Sequence, residues 1–300
     1  MRMMSSITAA HPPGCESSDP ESEKRPLQAS SDTHPPTVIT RIPEHIQPRI
    51  LLNALLLLDK PQDWQASEVI TTLKWATKAP HVIHLGSLDA MASGLLVVAF
   101  GEAARLTPSF NVMSKRYKGT VTLGLATETC DCTGKGTEVL PWKSVTDSDL
   151  ASAAAQLQGE LLLYPPSYRT ERGSGKRLYQ LATPTSPEDR VPRRALLHSF
   201  SVTREAGSRD VDFSLHAARC GHVRSLAAHL GWAAGSCGHL SALRRTAVGP
   251  FHVDNAWSLD VLLPLLRKHQ ASSSRFHRRE ALGGSARIDP DRGRREGGGR

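Results

Sequence analysis

One carboxylate in the stretch HLGSLDAMASGLL, residues 84–96, stands where a charge is costly. Asp89 lies between Leu88 and Ala90 in a run of small residues, and an apolar stretch follows directly. A charge in apolar surroundings costs free energy unless other groups stabilise it. Taken alone, such an aspartate most often serves a turn or a cap, because its side chain hydrogen-bonds nearby backbone. The alternative is chemical, since an ionised but poorly solvated carboxylate is a competent nucleophile.

Other sequence signatures of catalysis are missing from the chain. It contains no G-x-G-x-x-G, no P-loop, no G-x-S-x-G and no H-E-x-x-H motif. The tripeptide CGH occurs at 220–222 and at 237–239, but Cys-x-His is a poor spacing for structural zinc. We therefore expect no metal and no cofactor. The five cysteines show no disulfide framework, which is typical of a reducing compartment.

Composition divides the chain of 300 residues into a core and two polar ends. Residues 1–48, rich in Ser, Pro, His and Thr, predict a disordered segment, and residues 267–300 predict a disordered basic tail. The apolar periodicity lies in residues 49–266, which we expect to form one domain. No apolar run approaches the ~20 residues of a membrane span, so we expect no membrane partner.

Strands and helices alternate irregularly within this core. Continuous apolar runs at 51–59 and 94–100 predict buried strands, and the alternating run at 117–125 predicts a half-buried strand. Helices are predicted at 67–78, at 147–159 (capped by Asp147 or Ser148), at 222–231 and at 258–269 (interrupted by Pro264). Because no regular βαβ repeat is present, we predict an α+β fold with a mixed, mostly antiparallel sheet flanked by helices.

Five segments, taken in order, resemble the motifs of the TruB-type tRNA pseudouridine-55 synthases. LLLLDKPQ (55–62) is similar to the D-K-P element, and HLGSLDAMASGLLVVAFGEAARL (84–106) to the loop G-H-T-G-x-L-D-P-x-A-T-G. KRYKGTVTLGLATETCDCTG (115–134) resembles the K-R-Y strand with the turn that follows it. The segments at 164–182 and 239–251 resemble P-P-x-Y-S-A-x-K…G-x-x-L-Y-x-x-A and H-x-x-x-L-R-R-x-x-x-G-x-F. The resemblance covers about residues 51–256.

The resemblance implies a pseudouridine-synthase-like fold and an RNA isomerase that acts without a cofactor. Its expected substrate is uridine 55 in the TΨC loop of tRNA. The family breaks the uridine C1′–N1 bond, turns the base and rejoins it through C5. Asp89 matches the family's nucleophile, and Arg224 matches an arginine that would keep this carboxylate ionised. Attack on C6 of the base and attack on C1′ of the sugar both stay open.

The same resemblance assigns further residues to the RNA and to the support of the loop. Tyr117 matches the stacking tyrosine, and the residues expected at the flipped base are His84, Tyr117, His222 and Leu243. Contacts with the RNA backbone are expected from Lys115, Arg116, Arg244 and Arg245. Lys60 and Pro61 are expected to support the nucleophile loop.

The chain departs from the family pattern at several of these positions. Ala90 stands where a proline follows the nucleophile, and Asp63 replaces a glycine after D-K-P-Q. His222 stands where a pocket tyrosine is expected, and an imidazole is smaller than a phenol ring. Two alternatives therefore stay open: a tRNA-binding or chaperone relative with little or no activity, and a synthase that acts on mRNA or organelle rRNA.

Expectations on partners and location follow from the resemblance and from the charge. The expected partner is the TΨC stem-loop, recognised by shape without a guide RNA, and we expect a monomer. We expect no C-terminal PUA domain of the kind that many relatives carry, because residues 267–300 are too few to form one. The expected compartment is the cytoplasm, with the mitochondrion or the plastid as alternatives.

Deleting residues 267–300 tests the predicted role of the basic tail. Ten Lys and Arg against four Asp and Glu give this segment six of the eight net positive charges of the chain. Because phosphate contacts release counterions, the truncated protein should show a weaker salt dependence of RNA binding in a titration of Kd against salt. The modified position should stay the same, and a shift of that position would contradict the prediction.

Overall fold

The computed structural model describes residues 36–39, 53–164, 192–218 and 222–266. The predicted basic tail, most of the predicted N-terminal segment and the motif residues 165–182 lie outside these ranges. The strands of the described residues are β1 (Thr37–Ile39), β2 (Asn53–Lys60), β3 (Val82–His84), β4 (Ser93–Gly101), β5 (Lys115–Leu123), β6 (Leu125–Thr127), β7 (Gly136–Val139), β8 (Gly159–Leu163), β9 (Arg193–Arg204), β10 (Asp210–Ala218), β11 (Gly238–Val248), β12 (Phe251–His252) and β13 (Trp257–Ser258). The helices are α1 (Ala66–Thr77), α2 (Thr107–Val112), α3 (Asp147–Gln156), α4 (Val223–Ala233) and α5 (259–266), with short 3-10 helices at Glu102–Leu106 and Val253–Asn255.

Most of the strands join one large sheet in the order β1-β2-β4-β11-β5-β10-β9-β8. Strand β3 pairs with β4, β12 with β11 and β13 with β2, whereas β6 and β7 form a separate hairpin. The pairs β1–β2, β4–β11 and β2–β13 are parallel, and the other pairs of the described strands are antiparallel. The prediction of an α+β fold with a mixed, mostly antiparallel sheet is confirmed.

The two continuous apolar runs form the part of the sheet that is covered on both faces. Leu56 and Leu58 of β2 pack in one cluster with α1 and α5. Leu55 and Leu57 pack on the opposite face, in a cluster that includes Phe110 of α2. Strands that are buried on both faces have continuous apolar sequences, which explains why these segments do not alternate.

The other half of the sheet is covered by helices on one face. Val211, Phe213 and Leu215 of β10 are buried in a cluster that also contains residues of α3 and α4. The opposite face is polar, and there Thr120 donates a hydrogen bond of 2.7 Å to Asp212. One buried face and one polar face give the alternating pattern that predicted these strands.

Three predicted boundaries are wrong. Thr37–Ile39 pair with β2, so the predicted disorder of 1–48 does not hold for this apolar triplet, which extends the sheet at its edge. Helix α3 has Thr146 as its N-cap residue, because the Thr146 hydroxyl accepts a hydrogen bond of 3.1 Å from the backbone N–H of Asp149. The described helix 259–266 runs through Pro264, since the leucines on either side stay packed in the core.

The fold brings the loop that carries Asp89 between three strands. Residues 85–92 connect β3 to β4, and β11 pairs with β4 only through Arg244–Ser93 and Arg245–Gly94. Gly94 makes this close approach possible: its φ is +102°, and a Cβ at this position would collide with the backbone of Arg245. The loop that carries Asp89 is therefore fixed at its end by a contact that only glycine permits.

Alanine substitutions at two glycines test this contact. Gly94→Ala should lower the free energy of unfolding by about 3 kcal/mol or more, because it adds a backbone collision to the cost of positive φ. Gly207 is the matched control: its φ is +76° and nothing lies within 4 Å of the place that a Cβ would take, so Gly207→Ala should cost only about 1 kcal/mol. Denaturant unfolding measures both values, and equal costs would contradict the close-approach explanation.

Candidate active site

Asp89 forms an ion pair with the arginine predicted as its counter-ion. Nε of Arg224 lies 3.0 Å from Oδ2 of Asp89. Arg224 is in the first turn of α4, so this helix carries the cation to the loop. The Arg224 side chain is 16% exposed and the Asp89 side chain 36%. The carboxylate is therefore accessible to a ligand while its counter-ion is mostly withdrawn from water, which strengthens their attraction.

A second carboxylate holds Arg224 from the opposite side. Nη1 of Arg224 lies 3.5 Å from Oδ2 of Asp131 and donates a hydrogen bond of 3.3 Å to the backbone carbonyl of Thr129. The residue Asp131 is buried, at 3% exposure. One guanidinium thus joins the loop that carries Asp89 to the turn at 129–133.

Asp131 is itself fixed by hydrogen bonds from its own turn. Its Oδ1 accepts hydrogen bonds of 2.6 Å from the Thr129 hydroxyl, 2.6 Å from the Thr133 hydroxyl and 2.9 Å from the Thr133 N–H. Sequence reasoning gave this residue no role. The signal that could have found it is its position in the TETCDCTG turn, where an aspartate is surrounded by threonines that can donate to it.

Two predicted substrate-binding residues lie in the core beneath the loop. Tyr117 and Leu243 belong to the same buried cluster as Leu88, Met91 and Ala92 of the loop. Tyr117 is 6% exposed and Leu243 is 8% exposed. The structure therefore brings these side chains together with the loop that carries Asp89.

The two predicted histidines occupy the ends of elements. His84 is the last residue of β3, is partly buried and pairs with Val98 of β4. His222 is the N-cap residue of α4, is partly buried and lies two residues before Arg224. Both histidines thus flank segments that carry the ion pair.

Lys60 supports the loop from within the protein. Its side chain is completely buried, and Nζ donates hydrogen bonds to the backbone carbonyls of Pro61 (2.8 Å), Trp64 (2.6 Å) and Ala90 (3.3 Å). The loop is also held by the Asp63 N–H, which donates to the Ala90 carbonyl at 2.8 Å. Burial lowers the pKa of Lys60 to about 8, although the charges of Asp63 and Asp89 raise it.

The four cationic residues expected at the RNA backbone lie in different surroundings. Arg116 is exposed. Nζ of Lys115 donates to the carbonyls of Phe110, Asn111 and Met113 at the end of α2. The Arg244 side chain is 43% exposed and makes two hydrogen bonds, of 3.0 and 2.7 Å, to the carboxylate of Asp59.

The prediction that Arg245 contacts the RNA backbone is wrong, because the structure places this residue inside the protein. It is 3% exposed, so it cannot reach a phosphate in this arrangement. Its guanidinium donates to the backbone carbonyls of Leu95 (2.8 Å), Ser87 (3.1 Å) and Gly86 (3.0 Å). Burial lowers the pKa of Arg245, and the interaction with the Tyr117 side chain opposes this effect.

A cavity of about 550 Å³ opens beside the end of the loop. Met91 and Ser93 line it from the loop, and Leu243 and Arg244 line it from β11. Lys118, Thr120, Ser201, Thr203, Asp212 and Ser214 contribute a polar floor from β5, β9 and β10. The cavity therefore combines hydroxyl groups, the cations of Lys118 and Arg244 and the carboxylate of Asp212 with apolar surface from Met91 and Leu243.

Comparison with known proteins points to one family. Residues 74–220 match the family model described as TruB family pseudouridylate synthase (N terminal domain), and residues 224–281 match the model described as tRNA pseudouridylate synthase B C-terminal domain. The tRNA pseudouridine synthase B of Opitutus terrae is 34% identical over 222 residues, which cover 73% of this chain and 92% of that protein. A chloroplastic trans-splicing factor of Chlamydomonas reinhardtii is 34% identical over 291 residues, covering 78% of this chain and 71% of that protein.

A solved structure has the same fold. A chain in the crystal structure of a Cbf5-Nop10-Gar1 complex matches with a TM-score of 0.55 and 25% identity. The match covers 79% of this chain and 60% of that chain, so this chain spans less than two thirds of that longer protein. Among the described residues, no helix has the length and apolar character needed to cross a membrane.

Titration of Lys60 tests the electrostatics of the loop. In protein labelled at lysine, NMR should detect Lys60 with a pKa of about 8. Asp89→Asn should lower this pKa further, because a neighbouring carboxylate favours the charged amine. Glu102→Gln is the control: Glu102 is paired with Arg105 on an exposed surface and should leave the titration unchanged. A Lys60 pKa near 10.5, or the same value in Asp89→Asn, would contradict the described loop.

Proposed function

Because the chain belongs to the TruB family of pseudouridylate synthases, we propose that it isomerises uridine 55 in the TΨC loop of tRNA to pseudouridine. The single observation that carries the proposal is the partly exposed Asp89 carboxylate, held at 3.0 Å by Arg224. A carboxylate that is exposed in part and held by a cation suits a reaction on an RNA base that has left its stack.

The proposed reaction moves one bond of the sugar from nitrogen to carbon. Asp89 is the nucleophile and attacks either C6 of the base or C1′ of the sugar. The C1′–N1 bond breaks, the base turns, and C5 bonds to C1′. C5 loses its proton, N1 gains one, and Asp89 is released unchanged, so the sum is an isomerisation. Arg224 stabilises the carboxylate before attack and after release.

The neighbouring side chains fit roles in holding the substrate. Tyr117 and Leu243 are proposed to contact the flipped base, with His84 and His222 at the edge of its site. Arg116 and Arg244 are proposed to contact RNA phosphates, since both have exposed parts. Lys115 could join them only by leaving the carbonyls of α2. The proposed partner is a TΨC stem-loop, bound without a guide RNA.

One observation favours a second candidate. A relative with 34% identity is named a chloroplastic trans-splicing factor, and splicing is a process that acts on RNA. The second candidate is therefore an RNA-binding relative with little or no isomerase activity. The same relative supports the plastid as an alternative to the cytoplasm for the location of this protein.

Substitution of the proposed nucleophile tests the main proposal. Wild-type protein should convert the target uridine in a TΨC stem-loop transcript, as read by chemical mapping of pseudouridine. Asp89→Asn preserves the shape of the side chain but removes its charge, and should lower the single-turnover rate by about 10³-fold or more. Asp260→Asn, at an exposed position on α5, is the matched control and should keep the wild-type rate.

Each contrary result has a distinct meaning. If wild-type protein converts no tRNA transcript, the synthase proposal is wrong. Conversion by Asp89→Asn at the wild-type rate would remove the nucleophile role. If wild-type protein and Asp89→Asn bind the stem-loop equally and neither converts it, the second candidate is supported.

A further inference from the structure

Arg245 differs from the other arginines of the site in what it contacts. Arg224 and Arg244 pair with carboxylates. Among the ion pairs of the described residues, none includes Arg245, and its guanidinium donates to three backbone carbonyls. A buried cation without a carboxylate is costly unless its donors are satisfied. The contacts of Arg245 meet this need with groups that belong to the site.

The carbonyls that Arg245 binds lie on both sides of Asp89 along the chain. Gly86 and Ser87 precede the carboxylate, and Leu95 follows it. The planar guanidinium thus joins the two ends of segment 86–95, which contains the nucleophile loop. A guanidinium can do this because its donors point in fixed, divergent directions.

The pairing of β11 extends this arrangement to Tyr117. Arg245 pairs across the sheet with Tyr117 of β5 on one side and with Gly94 of β4 on the other. The Tyr117 side chain also interacts with the guanidinium and raises the pKa of Arg245. The strand β11 therefore sets the distance between the loop of Asp89 and the ring of Tyr117.

We propose that Arg245 is a positioning residue, which fixes the nucleophile loop through its buried guanidinium and Tyr117 through the pairing of β11 with β5, in a single arrangement around one uridine. This inference rests on the proposed isomerase function. Arg245 does not touch the substrate. It acts by fixing the position of Asp89 relative to Tyr117. Small displacements of reacting groups reduce reaction rates strongly.

Arg245→Lys tests the proposal, because it keeps the positive charge and removes the guanidinium that bonds to several carbonyls at once. We expect kcat for the TΨC stem-loop to fall about 100-fold, with KM within about threefold of the wild-type value. A phosphate contact predicts the reverse: a raised KM with kcat unchanged. That result, or wild-type kinetics in Arg245→Lys, would overturn the proposal. Arg204→Lys is the control, since Arg204 pairs with Asp147 at the start of α3 and should change neither constant.

A double-mutant cycle tests the link to Tyr117 and does not require the lysine variant to be fully stable. Tyr117→Phe keeps the ring and removes the hydroxyl through which Tyr117 interacts with Arg245, and it should lower kcat about tenfold with KM unchanged. The fold-loss from Arg245→Lys should be smaller in Tyr117→Phe than in wild type, because the two residues share one contact. Additive losses, or wild-type kcat in Tyr117→Phe, would overturn the proposal. Absence of turnover by wild-type protein would instead refute the isomerase function itself.

Discussion

A carboxylate that is partly withdrawn from water needs a cation beside it, and Asp89 has this cation in Arg224 at 3.0 Å. The cation in turn needs a fixed position, because a mobile guanidinium would turn toward water and leave the carboxylate. Asp131 provides it, because this residue is buried and its Oδ1 accepts hydrogen bonds from the Thr129 and Thr133 hydroxyls while its Oδ2 faces Arg224. The order of the site therefore depends on a chain of charges that runs from a buried aspartate through one arginine to an accessible aspartate.

The backbone of the loop is held by a separate set of contacts. Lys60 binds the Ala90 carbonyl, and Arg245 binds the carbonyls of Gly86 and Ser87. Both cations are buried, so water competes weakly for these hydrogen bonds. The loop carries Ala90 where the family pattern has a proline. Lys60 and Asp63 both bond to the Ala90 carbonyl, which supplies rigidity that a proline ring would otherwise give.

The pattern of apolar residues was sufficient to predict the fold class, whereas the contact between Asp89 and Arg224 was predicted only through the resemblance to the family. Continuous and alternating apolar runs identify strands because burial on two faces or one face dictates these patterns. Arg245 shows where such reasoning fails. Arg245 follows Arg244 directly, and the sequence alone does not show which of these two arginines is exposed to solvent. Strand β11 has irregular pairing between Leu240 and Ala242 and between Arg245 and Ala247, so simple alternation does not apply there. Asp131 was missed because its role depends on Arg224, which lies 93 residues away.

The most direct test is the release of tritium from a TΨC stem-loop that contains [5-³H]uridine, comparing wild type with Asp131→Asn. The C5 hydrogen leaves only when the new C–C bond forms, so the release reports the chemical step. Asp131 touches Arg224 and lies beneath the surface, so its substitution should leave RNA binding unchanged. We expect the release rate to fall about 100-fold in Asp131→Asn because Arg224 loses its fixed position. Release at the wild-type rate would contradict the view that this chain of charges sets the reactivity of Asp89.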